Sequence, residues 1–315
     1  MGISLHTRTS FPVGKVDFLD LYPLNFEEFL LARGEQQLHD QAVISKWGII
    51  SQFRVKFINL LKQYYYVGGM PEAVLHFCIS EDYNEVRQIQ SRILAAYEQD
   101  FSKHAPSDIV PRIRMLWNAI PAQLAKENRK FIYNAVKKGS RAKDFELALS
   151  WLSDRGLVHK INRITKPGIP LKAYEDFNAF KLYCVDVGLL AAMGDINAKT
   201  LLEGNVIFEE FKGALTEQYV LQQLKTVDNM AIYYWSAERS SGEVDFILQY
   251  NGNIYPLEVK AEENLQAKSL KAFFQKYPRT TPVRTSMSDY RKEEWLTNVP
   301  LYVIFALKGL TALKS

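Results

Sequence analysis

The segment 241–260 constrains this chain most, because it alternates apolar and polar residues on both sides of Asn251-Gly252. An Asn-Gly pair between alternating runs favours a two-residue hairpin turn whose central residues both have positive φ. If these two residues form the loop, Asp245 lies directly opposite Glu258. Opposed residues in an antiparallel hairpin have Cβ atoms roughly 4.5–5.5 Å apart, so two carboxylates placed in this way call for a cation between them.

The same register places Glu243 opposite Lys260 and turns the alternate residues toward a core. Those core-facing residues are Val244, Phe246, Leu257 and Val259. Pro256 is the critical position, because proline cannot donate to a strand ladder and a one-residue slip would turn Glu258 into the core. The hairpin therefore predicts a packed face and an opposite face that carries carboxylates and a lysine.

Composition describes an ordinary globular protein. The 315 residues are 47% hydrophobic and 23% charged, which is enough for two or three domains with sizeable cores. A net charge of +4 permits a nucleic-acid partner without requiring one.

The sequence points to the cytoplasm. Cys78 and Cys184 lie far apart in apolar surroundings, as expected of reduced thiols, and the five histidines lack metal-ligand spacing. We find neither a signal peptide nor an apolar run of membrane-spanning length. We therefore expect no membrane partner.

The order of predicted elements indicates a mixed α/β protein in three parts. Residues 1–100 are mainly helical, residues 101–176 follow a winged-helix plan, and residues 177–315 combine a linker with a small α/β domain of the order αβββαβ. The wing strands are expected at 157–164 and 171–174, and the last strand at 299–306.

The winged-helix part is rich in basic residues that could contact phosphate, although winged helices also serve as interaction or lid modules. These residues are Lys137, Lys138, Arg141, Lys143, Lys160, Arg163 and Lys166.

A further carboxylate joins the hairpin. In a helix predicted over 207–226, Glu217 projects into the apolar stripe, where an unpaired charge is costly and needs a partner. If this helix packs beside the hairpin, Glu217 converges with Asp245, Glu258 and Lys260. Three carboxylates suit Mg²⁺, which could activate water, while Lys260 could position the nucleophile. Acidic clusters also occur for purely structural reasons.

Asp245 with Glu258-Val259-Lys260 resembles the PD-(D/E)XK signature of restriction-endonuclease-like domains, and Glu217 takes the place of their helical acidic residue. Several longer stretches resemble a prokaryotic family of AAA-type ATP-binding proteins with a nuclease-like C-terminal domain. They are 11–15, 23–29, 68–73, 180–183, 186–190 and 242–246. The resemblance implies that Glu217, Asp245, Glu258 and Lys260 are catalytic, that the three acidic residues bind metal, and that residues 1–100 are the remnant of an ATPase lid.

The chain departs from that family in lacking a phosphate-binding loop. The nearest candidate, Gly14-Lys15, continues into Val16 and has Thr9 where the first glycine should be. We therefore expect no ATP site here and regard the chain as a truncated or split member, with an ATPase core on a separate chain as a potential partner.

Three hypotheses follow. The first is a DNA-associated protein with a Mg²⁺-dependent endonuclease domain. The second is a non-catalytic module that binds DNA or protein. The third is an ATP-binding protein whose ATPase core lies on a missing N-terminal segment.

Overall fold

The computed structural model describes residues 17, 19–126, 130–203, 209–237, 242–263 and 266–314, with side chains omitted for 209–210 and 308–314. The stretch 11–15, the Gly14-Lys15 pair and Ser241 lie outside these residues. The described residues between 17 and 25 belong to no helix or strand.

The first half of the chain is helical. Local signals set the ends: Asn25 caps α1 in a reciprocal capping box with Glu28, Gly68 ends α4, and Pro71 begins α5. The helices are α1 Phe26–Ala32, α2 Gln36–Val43, α3 Trp47–Gln52, α4 Arg54–Val67, α5 Pro71–Ser80, α6 Tyr83–His104, α7 Val110–Leu124, α8 Tyr133–Val136 and α9 Ala142–Asp154.

The second half alternates strands and helices. Its elements are β1 Val158–Ile164, a 3₁₀ turn Leu171–Tyr174, β2 Glu175–Cys184, α10 Val187–Met193, α11 Ala198–Glu203, α12 Glu209–Lys225, β3 Ala231–Ser236, β4 Glu243–Tyr250, β5 Asn253–Val259, α13 Lys268–Lys276, β6 Val283–Ser286, β7 Arg291–Lys292, β8 Thr297–Pro300 and a 3₁₀ segment Leu301–Lys314. The mixed α/β class and the order α12-β3-β4-β5-α13-β6 agree with the prediction.

All described strands form one sheet of order β2-β1-β3-β4-β5-β6-β8-β7. β1 and β2 pair antiparallel, and β1 joins β3 in parallel through the single pair Arg163 and Tyr234. The boundary predicted between residues 176 and 177 lies inside β2, and one hydrophobic core runs from Phe26 to Leu307. The β1–β2 hairpin is thus continuous with the C-terminal sheet.

Two predicted strands are wrong. Residues 171–174 form a 3₁₀ turn, and the strand that pairs with β1 is β2, because the loop after β1 is longer than the Pro-Gly signal suggested. Residues 301–306 are 3₁₀ rather than strand. Leu301 to Phe305 are all buried, and an uninterrupted buried run has no period that separates strand from helix.

Helix α12 holds the core together through buried amides. Gln218 accepts from the Cys184 backbone N–H at 2.9 Å and donates to the Cys184 carbonyl at 2.7 Å. Gln222 accepts from the Val187 N–H, and Gln223 accepts from the Phe26 N–H. One helix therefore fixes the end of β2, the start of α10 and the start of α1.

The stretches 23–29, 68–73 and 186–190 meet beside α12. Asp186 accepts from the Gly69 N–H at 2.7 Å, and the Leu24 N–H donates to the Gly69 carbonyl at 2.8 Å. A Cβ on Gly188 would approach the Gly68 nitrogen to 2.6 Å, so only glycine allows this contact. The contacts among these three stretches therefore have a structural role.

We predict that Gly188→Ala destabilises the protein by about 1–3 kcal/mol, because the added methyl group would displace the Gly68 backbone. Gly48→Ala is the matched control, since it is also the second residue of a helix but an added Cβ there would have no atom within 4 Å. It should be neutral or stabilising by less than about 1 kcal/mol. Urea denaturation measures both; equal losses would contradict the close-contact argument.

Candidate functional site

The predicted hairpin register is found. Asn251 and Gly252 both have positive φ, and the β4–β5 ladder runs from Tyr250 opposite Asn253 to Phe246 opposite Leu257. Pro256 takes its place in this ladder without a slip. The ladder ends at that last pair, so the opposition of Asp245 to Glu258 and of Glu243 to Lys260 is not part of it.

A β-bulge redirects the chain at Asp245. Tyr233 pairs with Ile247 and Trp235 pairs with Val244, so β4 carries one more residue than β3 across this interval. Bulges commonly re-aim a side chain at a functional site. Asp245 lies half-buried at the bulge, and its Oδ2 accepts from the Val259 N–H at 2.7 Å.

Glu258 is buried with its lysine beside it. The side chain is 9% exposed, and Oε1 lies 2.7 Å from the Lys260 ammonium, which is 33% exposed. Its other oxygen, Oε2, is buried and has no hydrogen-bond partner. Burial, followed by the charge of Asp245, raises the pKa of Glu258 to about 7, and Lys260 opposes the shift. The folded protein therefore favours the neutral, protonated form of this carboxyl group.

Glu217 belongs to a second cluster. Its side chain is 3% exposed, and Oε2 accepts from the Tyr183 hydroxyl at 2.9 Å and lies 3.5 Å from the Lys181 ammonium. Lys181 is fully buried, and it also pairs with Glu243 at 2.5 Å. The predicted partner of Glu243 was Lys260, but Lys260 pairs with Glu258. The predicted need of Glu217 for a partner is confirmed.

The two clusters lie on the two faces of the sheet. Residues two apart on a strand face the same side, so Glu258 lies on the same face of β5 as Ile254. Ile254 packs in a hydrophobic cluster with α13, whereas Leu257 and Val259, on the other face, pack in the core with α12. The charges of Asp245 and Glu243 both act to raise the pKa of Glu258, so the two clusters are within electrostatic reach of each other.

The prediction missed Lys181, although it stands in the stretch 180–183 that was noted for its resemblance. The run Phe180-Lys181-Leu182-Tyr183 alternates, yet all four residues are buried. A lysine on a strand covered on both faces is itself a signal for a buried acidic partner. The prediction also missed Arg284, which neighbours Glu258 across β5 and β6, is 1% exposed, and binds Glu293 at 2.8 Å and Asn298 at 2.9 Å.

A metal fits only part of the predicted ligand set. Throughout the described ranges, no group of three His, Cys, Asp or Glu side chains is arranged to hold a metal ion. Asp245 and Glu258 offer hard oxygen donors, and the buried, unpartnered Oε2 of Glu258 is a vacant donor of the kind that Mg²⁺ accepts, with water filling other positions. Glu217 is engaged by Tyr183 and Lys181.

The chain matches two family profiles in part. Residues 58–200 match a domain of unknown function, DUF8612, and residues 212–304 match a domain of unknown function, DUF4143. DUF4143 occurs in AAA-ATPase-associated proteins. A search of curated proteins and of solved structures finds no match. Lys181 lies in the first matched region, whereas Glu217 and the hairpin lie in the second, so the buried ion pairs join the two.

None of the helices in the described part of the chain combines the length and apolar character needed to cross a membrane.

We predict that Lys181→Met destabilises the protein by roughly 3–5 kcal/mol, because it leaves Glu217 buried without its cation. Adding Glu217→Gln should recover part of this loss. Lys199→Met is the control: Lys199 has an 81% exposed side chain and pairs with Glu203 at 4.0 Å, so its loss should stay within about 0.5 kcal/mol. A strictly additive double mutant would contradict the assigned pairing.

We predict that the free energy of unfolding, measured in EDTA, falls as pH rises from about 4.5 to 7. The unfolded state loses the Glu258 proton near its ordinary pKa of 4.5, and the folded state keeps it until about 7. The full contribution is roughly 3 kcal/mol. Glu258→Gln should remove this slope, and Glu262→Gln, at an exposed position, should keep it. Parallel slopes in all three proteins would refute the assignment.

Proposed function

We propose that this protein is a DNA-associated, nuclease-like protein whose C-terminal sheet resembles restriction endonucleases, and that it hydrolyses phosphodiester bonds with Mg²⁺. The observation that carries the proposal is the Glu258 carboxylate. It is buried, holds Lys260 through one oxygen, and leaves the other oxygen unpartnered beside Asp245. Most buried side-chain oxygens have a hydrogen-bond partner, so an unpartnered carboxylate oxygen calls for an explanation such as a bound ion.

Each side chain has a distinct role in this proposal. Asp245 and Glu258 would hold the metal ion, which lowers the pKa of a bound water and offsets charge on the phosphate. Lys260 is held at 2.7 Å from Glu258 yet remains a third exposed, so its ammonium can hold a nucleophilic water or a phosphate oxygen. Glu217 is an orienting residue, because it fixes Lys181, which in turn fixes Glu243 at the start of β4.

The DUF4143 match supports a setting beside an AAA-type ATPase. We propose that the phosphate-binding core is supplied by another segment or chain and that the protein works in the cytoplasm. The winged-helix comparison is part of the proposal as well, since α7, α8, α9 and the β1–β2 hairpin occur in that order.

A second candidate function is nucleic-acid or protein binding without catalysis. The observation that favours it is Lys181, which is fully buried between Glu217 and Glu243. The chain's own cation neutralises part of the acidic cluster there. DNA binding without metal-dependent cleavage would select this alternative.

We predict that the protein nicks supercoiled plasmid with Mg²⁺ or Mn²⁺ and that EDTA abolishes the reaction. Asp245→Asn keeps an oxygen for the Val259 N–H, and Lys260→Met keeps the side-chain length. Each should lower the nicking rate by about 100-fold or more. Glu262→Gln is the control and should retain activity. If all variants nick equally, or none does, the catalytic assignment is wrong.

A further inference from the structure

The chain's positive charge is concentrated in one segment. Between Glu263 and Asp289 the sequence has no acidic residue and five basic ones: Lys268, Lys271, Lys276, Arg279 and Arg284. The net charge of the whole chain is +4, so the remainder carries 4 − 5 = −1. Arg284 is buried and paired, but the other four are exposed. The segment is therefore a cationic surface on a nearly neutral protein.

Helix α13 turns its cations outward. Leu270 and Phe273 are buried against the sheet, and Lys268, Lys271 and Lys276 lie within the outward arc at helical spacing. They extend over about 12 Å of helix, at 1.5 Å per residue, which is comparable to the width of the DNA major groove.

The wing loop and the end of α13 enclose a cleft of about 470 Å³. The lining includes Pro167 to Ile169, which form the wing loop, together with Lys276 and Arg279. Its lining includes no acidic side chain. Residues 252–254 at the hairpin turn also line it, so the cleft lies at the opposite end of β5 from Glu258.

Helix α13 connects that cleft to the candidate site. β5 runs from the turn toward Glu258, and α13 returns before β6 runs parallel to β5. Lys268 therefore lies toward the Lys260 end of the sheet, and Arg279 lies at the cleft. The cations form a track between the two.

The helix expected to read DNA in a winged-helix module carries the wrong charge. Within its bounds, α9 has one lysine and three acidic residues, a net charge of 1 − 3 = −2, whereas α13 has three lysines and no acid. Among the winged-helix cations, Arg163 is bound to Asp176 at 2.7 Å. Phosphate repels α9 and attracts α13.

We infer that the phosphate backbone of duplex DNA binds in the cleft and along α13, in a surface formed by Lys268, Lys271, Lys276, Arg279 and the wing loop. A duplex fits better than a single strand, because the cleft's only aromatic side chain, Tyr277, packs against Phe273 at 4.9 Å and is not presented as a stacking platform. The inference deepens the proposed function by placing its substrate, and the binding itself requires no metal.

Fluorescence anisotropy with a labelled 24-base-pair duplex, in EDTA and over a salt series, tests the inference. The test variant is Lys271→Ala/Lys276→Ala/Arg279→Ala. We expect at least a tenfold loss of affinity at 100 mM salt, and a slope of log affinity against log salt that flattens by about 2–3, from roughly 0.9 per phosphate contact.

The matched control removes the same charge from the winged-helix part, as Lys137→Ala/Lys138→Ala/Lys143→Ala. All three residues are exposed, so both triple variants should melt as the wild type does. The control should bind within threefold of wild type. An equal loss in both variants, or a loss in the control alone, would overturn the assignment to α13.

Two further measurements separate the outcomes. Ile169, which is 55% exposed in the cleft, is changed to Glu and compared with Leu147→Glu, 68% exposed on α9; only the first should weaken binding. Tighter binding of single-stranded DNA, or equal competition by polyglutamate, would overturn the commitment to duplex. Binding in EDTA without nicking in Mg²⁺ would refute the nuclease proposal and leave this inference standing.

Discussion

The buried carboxylate of Asp186 is the interaction on which the arrangement of this chain depends. It accepts from the backbone of Gly69 and Leu189 and from the Gln222 amide, and burial raises its pKa. Because these donors come from the α4–α5 turn, α10 and α12, one desolvated charge fixes three elements from distant parts of the sequence. A buried polar group of this kind stabilises the structure only when all its partners are in place, so the α4–α5 turn, α10 and α12 depend on one another for their positions.

What the sequence could predict here was what local chemistry determines. The Asn251-Gly252 turn set the hairpin register, Asn25 and Pro71 set helix starts, and helical periodicity placed Glu217 inside. The features that could not be predicted depend on elements distant in the sequence. The bulge at Asp245 is defined by the pairing of β4 with β3. The role of Lys181 depends on the packing of β2 near α12 and β4, which supply its acidic partners. The continuity of the β1–β2 hairpin with the main sheet depends on one parallel pair between Arg163 and Tyr234, which no local pattern indicates.

Near the open end of the β4–β5 hairpin, two lysines pair with buried carboxylates in different ways. On one side, the fully buried Lys181 forms ion pairs with both Glu217 and Glu243. On the other side, Lys260 is partly solvated and leaves one oxygen of Glu258 unsatisfied. The first arrangement gives a rigid support, and the second gives a charge balance that a bound cation can alter.

The far end of the sheet has a consequence for solubility. The terminal strand β7 is two residues long, and both of them, Arg291 and Lys292, are exposed. At the opposite edge, the Phe131 N–H donates to the Phe180 carbonyl of β2 and occupies part of that ladder. Short, cationic or covered edges cannot recruit a strand from another molecule. These edges thus protect the sheet against edge-to-edge aggregation. The protection matters most during folding, before the hydrophobic run after Pro300 is buried against the core.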